Sequence, residues 1–312
     1  MSCQTDIDFV GNLKIDLTPL FSMQIARDTM ATSKDKPRRV GVLGFGHVGQ
    51  YLSKEIEASN DLDLAFVWNR TRSAVEGQIP EDKILNDLSD FKTKDVDLIV
   101  EVAHPKIVHK FGAKILEHCD LMIGSPTGLS NADTLEAITR AASAHACYIP
   151  SGAMWGAEDI RKMADLGTLQ ALRVTMRKHP SSFKLASPLK EKNEAATEAN
   201  KREVLYSGPV KDLCPLAPNN VNTMAAAAIA ATNLGFNKVQ GQLIADPDLH
   251  DWHEVEVEAW GPGSIEEGTA FNVRTLRRNP AKVGHVTGSA TYASFLSSLK
   301  RAKGQHSGIH LC

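Results

Sequence analysis

No apolar run in the sequence approaches the ~18 residues that would span a bilayer, so no membrane partner is expected. Charge of one sign is missing too. Lys and Arg number 35 against 37 Asp and Glu, for a net charge of −2. Nothing therefore draws the whole chain to nucleic acid, and a small-molecule partner is the default. The five cysteines, Cys3, Cys119, Cys147, Cys214 and Cys312, form no C-x-x-C pair. An odd, scattered set suits a reducing, cytoplasmic compartment better than a disulfide framework. No His/Cys/Asp cluster has metal-ligand spacing, so no metal is expected. A Gly-x-Ser-x-Gly elbow is likewise absent, and covalent catalysis by a serine is disfavoured.

What is present is an ordinary globular composition, 42% hydrophobic and 23% charged, in 312 residues, enough for two domains. Residues 1–37 stand apart. Their mixed charge and polar end, Thr32-Ser33-Lys34-Asp35-Lys36-Pro37, read as a loosely ordered extension. A secretory signal would start basic and carry a longer apolar centre, and a transit peptide would avoid Asp6, Asp8 and Asp16; a processed targeting segment is the alternative.

From residue 38 to 150 apolar strands alternate with helical stretches, which predicts a doubly wound parallel sheet of the Rossmann kind. The first strand, Val40 to Leu43, runs into Gly44-Phe45-Gly46-His47-Val48-Gly49 and then a helix with an apolar stripe of Val48, Tyr51, Leu52 and Ile56. In this spacing the first glycine permits a tight turn, the second admits a phosphate to the backbone and the third lets helix pack on strand. A dinucleotide site is expected there. In such a sheet the ligand lies beyond the strands' carboxyl ends, which nominates Asn69, Ala103-His104, Ser125-Pro126-Thr127 and Ser151-Gly152-Ala153. Where an NAD site commonly carries a carboxylate, the second strand ends in Asn69, Arg70 and Arg72. Cations without a carboxylate favour NADP, with NAD possible; the arginines can equally be solvated surface residues.

Beyond residue 150 the pattern changes. Strand-like runs at Val239 to Ala245, His253 to Trp260 and Ala270 to Leu276 follow one another without helices between. They predict a smaller α+β domain with a mainly antiparallel sheet over residues 151–286, closed by a helix and tail over 287–312. In His253-Glu254-Val255-Glu256-Val257-Glu258-Ala259, alternation puts His253 on the face of the valines. That histidine is either a satisfied core residue or a general acid/base. Asn220 and Asn222, ahead of an alanine-rich helix, are either helix caps or amides for the nicotinamide carboxamide. With metal and nucleophile chemistry set aside, hydride transfer through a bound nicotinamide is the economical reaction.

Taken together, Gly44-Phe45-Gly46-His47-Val48-Gly49, Glu101-Val102-Ala103-His104-Pro105, Ser151-Gly152-Ala153-Met154-Trp155-Gly156, Asn220-Val221-Asn222-Thr223-Met224, Ala245-Asp246-Pro247 and His253-Glu254 resemble the L-aspartate dehydrogenase family, and its animal branch more closely. The resemblance covers residues 38–312. It implies oxidation of L-aspartate to iminosuccinate, and thence oxaloacetate and ammonia, with NAD or NADP. It also implies a second domain that carries dimer contacts, and hence a homodimer, and a last helix returning toward the first domain. Residue by residue, it places a cofactor contact on Ala153 and on Asn222, and the catalytic histidine on His253. Cations for the substrate's two carboxylates are nominated at Arg177 and Lys178. One departure is Asp251, where microbial relatives carry Asn. A carboxylate there is expected to raise the pKa of His253 if it comes within ~4–6 Å of the imidazole, and to repel a dicarboxylate. An imine or keto-acid reductase of other specificity, and an NADP-binding sensor without turnover, remain open alternatives.

Overall fold

The computed structural model describes residues 36–312, so all but Lys36 and Pro37 of the expected N-terminal extension lie outside the described residues. The first sheet begins with β1 (Arg38–Leu43), α1 (His47–Glu57) and β2 (Leu62–Trp68). It continues through β3 (Leu98–Glu101), α2 (Pro105–Leu116), β4 (Asp120–Ile123), α3 (Ala132–Ala141) and β5 (Ala146–Ile149). Apolar residues make these strands because both faces are covered, and β3, Leu-Ile-Val-Glu, is buried along its whole length.

The second sheet is preceded by α4 (Ala157–Asp165) and built from β6 (Ala171–Lys178), β7 (Glu203–Pro209), β8 (Gln240–Ala245), β9 (Trp252–Trp260) and β10 (Asn272–Pro280). Helices α5 (Leu189–Glu198) and α6 (Asn222–Ala230) are inserted between strands, and α7 (Ala290–Arg301) and β11 (Gly308–Leu311) close the chain. Helix α6, Asn-Thr-Met-Ala-Ala-Ala-Ala-Ile-Ala, is buried from Thr223 to Ala230. Its small side chains permit close approach to α4.

The six-stranded sheet has the order β11-β5-β4-β3-β1-β2, every pairing parallel. The order reverses between β1 and β3, so a crevice opens at their carboxyl ends, the place where open α/β sheets bind ligands. The second sheet has the order β10-β9-β6-β8-β7, antiparallel except for β6 beside β8. Both parts of the predicted fold class are present: a Rossmann-like sheet and a mainly antiparallel one.

Two features escaped the sequence reading. The tail is a strand: β11 lies parallel to β5 at the sheet's edge, and Ser151 N–H donates to the Cys312 carbonyl at 2.8 Å. Its four residues lack a long apolar run, so nothing local marked them. The last strand also runs on to Pro280, beyond the expected end at Leu276, because its edge position tolerates Arg277, Arg278 and a terminal proline. Phe295 and Leu299 of α7 join the apolar cluster of Leu52 and Ile56 on α1, and the Tyr51 and Tyr292 rings meet at 45° with centroids 5.6 Å apart.

Deleting residues 308–312 removes several backbone hydrogen bonds and bares the β5 edge. At ~1 kcal/mol for each bond, a loss of about 3 kcal/mol is expected. Urea unfolding measures it, and an unchanged midpoint would refute a structural role for the tail.

Candidate active site

At the end of β1 the glycine turn divides its tasks as the spacing predicts. Gly44 has φ +102°, and a Cβ on it would stand 2.8 Å from the Ala103 backbone. At Gly49 a Cβ would collide with the Gly44 carbonyl, whereas Gly46 has nothing within 4 Å. The turn is thus tight beneath, closed behind, and open only where a pyrophosphate approaches. Helix α1 starts at His47, and its unpaired N–H groups face that opening. Phe45 is buried under the turn, His47 is exposed in the first helical turn, and Val48 lines the cavity described below.

The crevice wall is organised by Glu101, a residue the sequence reading quoted without a role. Its carboxylate accepts from the N–H groups of Ala103 and His104, each at 2.8 Å, and from Ser125 N–H at 3.0 Å and Oγ at 3.1 Å. One side chain thereby fixes the loops after both β3 and β4. Burial pushes its pKa up to about 7 against the pull of those donors. A carboxylate closing an otherwise apolar strand was the available signal.

Asn69 and Arg72 both have partners within the chain. Asn69 Oδ1 accepts from Phe45 N–H at 3.1 Å and its amide donates to the Thr71 carbonyl at 2.9 Å. It thereby shapes the glycine turn. Arg72 is bonded to Glu76 and Glu81 of its own loop, which neutralises it. Arg70 is exposed and makes no ion pair among the described residues, and its charge reaches His104.

Between the two sheets lies a cavity of about 290 Å³. Val48, Ala103 and Ala153 line it from one side, and Lys178, Asn222 and His253 from the other. The Ser151-Gly152-Ala153 turn is held at the Gly152 carbonyl by Arg277 at 3.1 Å and Ser294 at 2.9 Å. His253 lies on the inward face of β9, as parity predicts, and is 5% exposed. Burial, with the nearby Lys178 ammonium, brings its pKa down to about 3 despite a hydrogen bond to the His285 backbone. Its Nε2 has no hydrogen-bond partner among the described residues, nor has Asn222 Oδ1. Such buried orphans are costly in a finished protein core, so both atoms are placed for a ligand. The open glycine turn and these two atoms fit a nicotinamide dinucleotide.

Parity separates the two nominated cations. Lys178 is buried in the cavity wall, donates to the Val286 carbonyl at 3.0 Å, and is brought by burial to a pKa of about 8. Arg177 points to the opposite face, where it pairs with Glu256 at 2.9 Å and Glu254 at 3.8 Å. Neighbouring residues on a strand cannot share a face, so the nomination of Arg177 is corrected. Asn220 also lines the cavity, and its amide is partly engaged by the chain: its Oδ1 accepts from Lys184 N–H at 2.9 Å and its Nδ2 donates to the Ser182 carbonyl. Asp251 is exposed and is not among the charges acting on His253, so the condition for it to raise that pKa is not met. Asn279, also on the wall, was missed because the expected strand stopped short of it.

Residues 159–298 match the family model described as aspartate dehydrogenase, C-terminal, and residues 44–150 match that described as homoserine dehydrogenase, NAD binding domain. The aspartate dehydrogenase domain-containing protein of Xenopus tropicalis is 50% identical over 286 residues, 90% of this chain and 100% of that one. The chain belongs to the aspartate dehydrogenase family. Its members are NAD(P)-dependent oxidoreductases, and an L-aspartate dehydrogenase of Methanococcoides burtonii is 28% identical over 84% of this chain and 96% of its own length. The crystal structure of aspartate dehydrogenase from Thermotoga maritima shares the fold, with a TM-score of 0.62, 20% identity, and coverage of 86% of this chain and 98% of that one.

Replacing Glu101 by Gln sets an NH2 group against backbone donors. A loss of about 1–3 kcal/mol in unfolding free energy is expected, together with weaker nicotinamide dinucleotide binding in a fluorescence titration; unaltered binding would refute its hold on the crevice. A buried neutral histidine gives a pH signature. The contribution of His253 to stability is complete above its ordinary pKa near 6.5 and is lost as pH falls toward about 3, because the unfolded chain takes up the proton first. His253→Gln should flatten the decline of unfolding free energy across that window; an identical slope would show that another group causes it.

Proposed function

We propose that this member of the family oxidises the CH–NH2 group of L-aspartate, or a close dicarboxylate analogue, or runs the reverse reaction, with NADP favoured over NAD. The observation that carries the reading is the convergence of unpartnered His253 Nε2 and buried Lys178 on one cavity beside the glycine turn. The names of the archaeal relatives support the substrate class. When bound, the nicotinamide supplies hydride exchange at the substrate's Cα.

The remaining work belongs to the chain. Lys178 and Lys184, both on the cavity wall, meet the substrate carboxylates. Asn222 Oδ1 accepts from the nicotinamide carboxamide and fixes which ring face meets the substrate. His253, neutral in the free protein, takes a proton from the substrate nitrogen at Nε2 and activates the water that converts imine to oxaloacetate and ammonia. Arrival of two carboxylates adds negative charge next to the imidazole and raises its pKa toward the working range. Arg70 meets the 2′-phosphate, supported by its exposure and its freedom from ion pairs among the described residues.

The proposal extends to a division of labour between residues 38–150, which bind the dinucleotide, and 151–286, which carry substrate and the dimer contact. A homodimer is supported by exposed Val273 and Leu276 on edge strand β10. A reducing, cytoplasmic setting is supported by free Cys119, Cys147, Cys214 and Cys312.

Oxaloacetate, ammonium and NADPH test the reaction. His253→Asn is expected to lower kcat by roughly 10²–10⁴-fold, and a wild type that consumes no more NADPH than this variant would sink the dehydrogenase reading. For the cofactor, Arg70→Ala should weaken NADPH binding by about tenfold or more relative to NADH, while Arg72→Ala, already paired with two glutamates, should change the ratio little. Equal losses of both nucleotides in Arg70→Ala would refute the 2′-phosphate contact.

A further inference from the structure

Three adjacent strands present one row of polar side chains to the cavity. The β9–β10 register sets Asn279 directly opposite His253. On the other side Arg177 pairs with Glu254, so the next step of the same ladder brings Lys178 beside His253. The row therefore reads Asn279, His253, Lys178 across β10, β9 and β6, and all three line the cavity. Asn279 is 2% exposed, and its Oδ1, like His253 Nε2, has no hydrogen-bond partner among the described residues. A buried acceptor left bare costs ~1–3 kcal/mol, so it is retained where a ligand completes it.

The chemistry of that ligand follows from the atoms. A carbonyl oxygen accepts and cannot bond a carboxylate, so Asn279 Oδ1 is not part of a carboxylate clamp. Lys178, at the other end of the row, takes that part. What Oδ1 needs is an N–H or O–H, next to the group that also serves His253 Nε2. Neutral imidazole with its other nitrogen turned to the His285 backbone likewise offers an acceptor at Nε2. Two bare acceptors side by side call for two hydrogens on one atom. An amine carries them; a hydroxyl carries one.

We propose that Asn279 Oδ1 and His253 Nε2 together receive two N–H groups of the substrate's amino nitrogen, and that Asn279 is the residue that makes the site select a 2-amino acid over the corresponding 2-hydroxy acid. The inference rests on the dicarboxylate reading above and adds a specificity residue to it. A hydroxy acid satisfies one acceptor and leaves its neighbour bare, and that unpaired atom is the discriminating element. Asn279 positions the nitrogen and exchanges no proton with it.

Binding to the NADPH-saturated protein tests this, because neither L-aspartate nor L-malate can be oxidised by the reduced nucleotide. Calorimetry should find wild type binding L-aspartate at least tenfold more tightly than L-malate. Asn279→Leu should bring the two affinities to within about threefold, close to the loss of one buried hydrogen bond. Asn279→Asp, which keeps an acceptor oxygen at the same place, should retain the preference for the amine. Both variants should bind NADPH as wild type does, which separates a local role from a folding defect. An unchanged aspartate-to-malate ratio in Asn279→Leu overturns the inference while leaving the dicarboxylate reading intact. A fall in NADPH affinity equal to the fall in aspartate affinity overturns it also, since Asn279 would then be supporting the fold or the nucleotide. Failure of wild type to bind either acid overturns the dicarboxylate reading and this inference with it.

Discussion

The buried carboxylate of Glu101 is the constraint on which the rest of the site depends. It sits at the end of an apolar strand and gathers donors from two separate loops. Without it the backbone N–H groups of Ala103, His104 and Ser125 would face an apolar interior unpaired, at a cost of ~1–3 kcal/mol each. With it, the loops after β3 and β4 hold one shape, and Ala103 can press against Gly44 closely enough to require a glycine there. The crevice wall takes its shape from a carboxyl placed inside the sheet. Its ionisation is opposed by burial and supported by the donors, and the balance falls near neutrality.

The second sheet divides its two faces by charge. Outward, Arg173, Arg177, Arg274 and Arg278 alternate with Glu254, Glu256 and Glu258 in a ladder of ion pairs. Burial works against Glu256, yet hydrogen bonds from Arg274 and Arg177 hold its carboxyl below the usual range. Inward, valines and methionine surround a cation and an imidazole that have lost most of their water. Burial depresses the charged form of both Lys178 and His253, and the Lys178 charge adds to it at His253. A site of this kind is incomplete until negative charge arrives. That is the electrostatic complement of an acidic substrate.

Much of this was legible in the sequence, and the reasons are local. The glycine spacing at 44, 46 and 49 predicts a turn whose steric logic the backbone then obeys. Alternation from His253 to Ala259 assigns the histidine to the inner face with no knowledge of what covers it. Alternation also separates Arg177 from Lys178, a signal present in the sequence and left unused. By contrast, the cations after β2 look equivalent in sequence, and the course of their loop brings Glu76 and Glu81 onto Arg72 while Arg70 makes no ion pair among the described residues.

The sequence by itself determined the order of strands and helices, the nucleotide turn, the family and the inward face of β9, because these follow from periodicity and from contacts within a few residues. The tertiary structure alone decided which polar groups are spent and which are free. Asn69 and Asn220 are engaged by backbone partners, whereas Asn222, Asn279 and His253 keep an atom with no partner among the described residues. The strand status of the last residues was decided there too, since β11 exists only because β5 offers it an edge. Hydrogen bonding between segments far apart in the chain has no period and no composition, so it is written only in the fold.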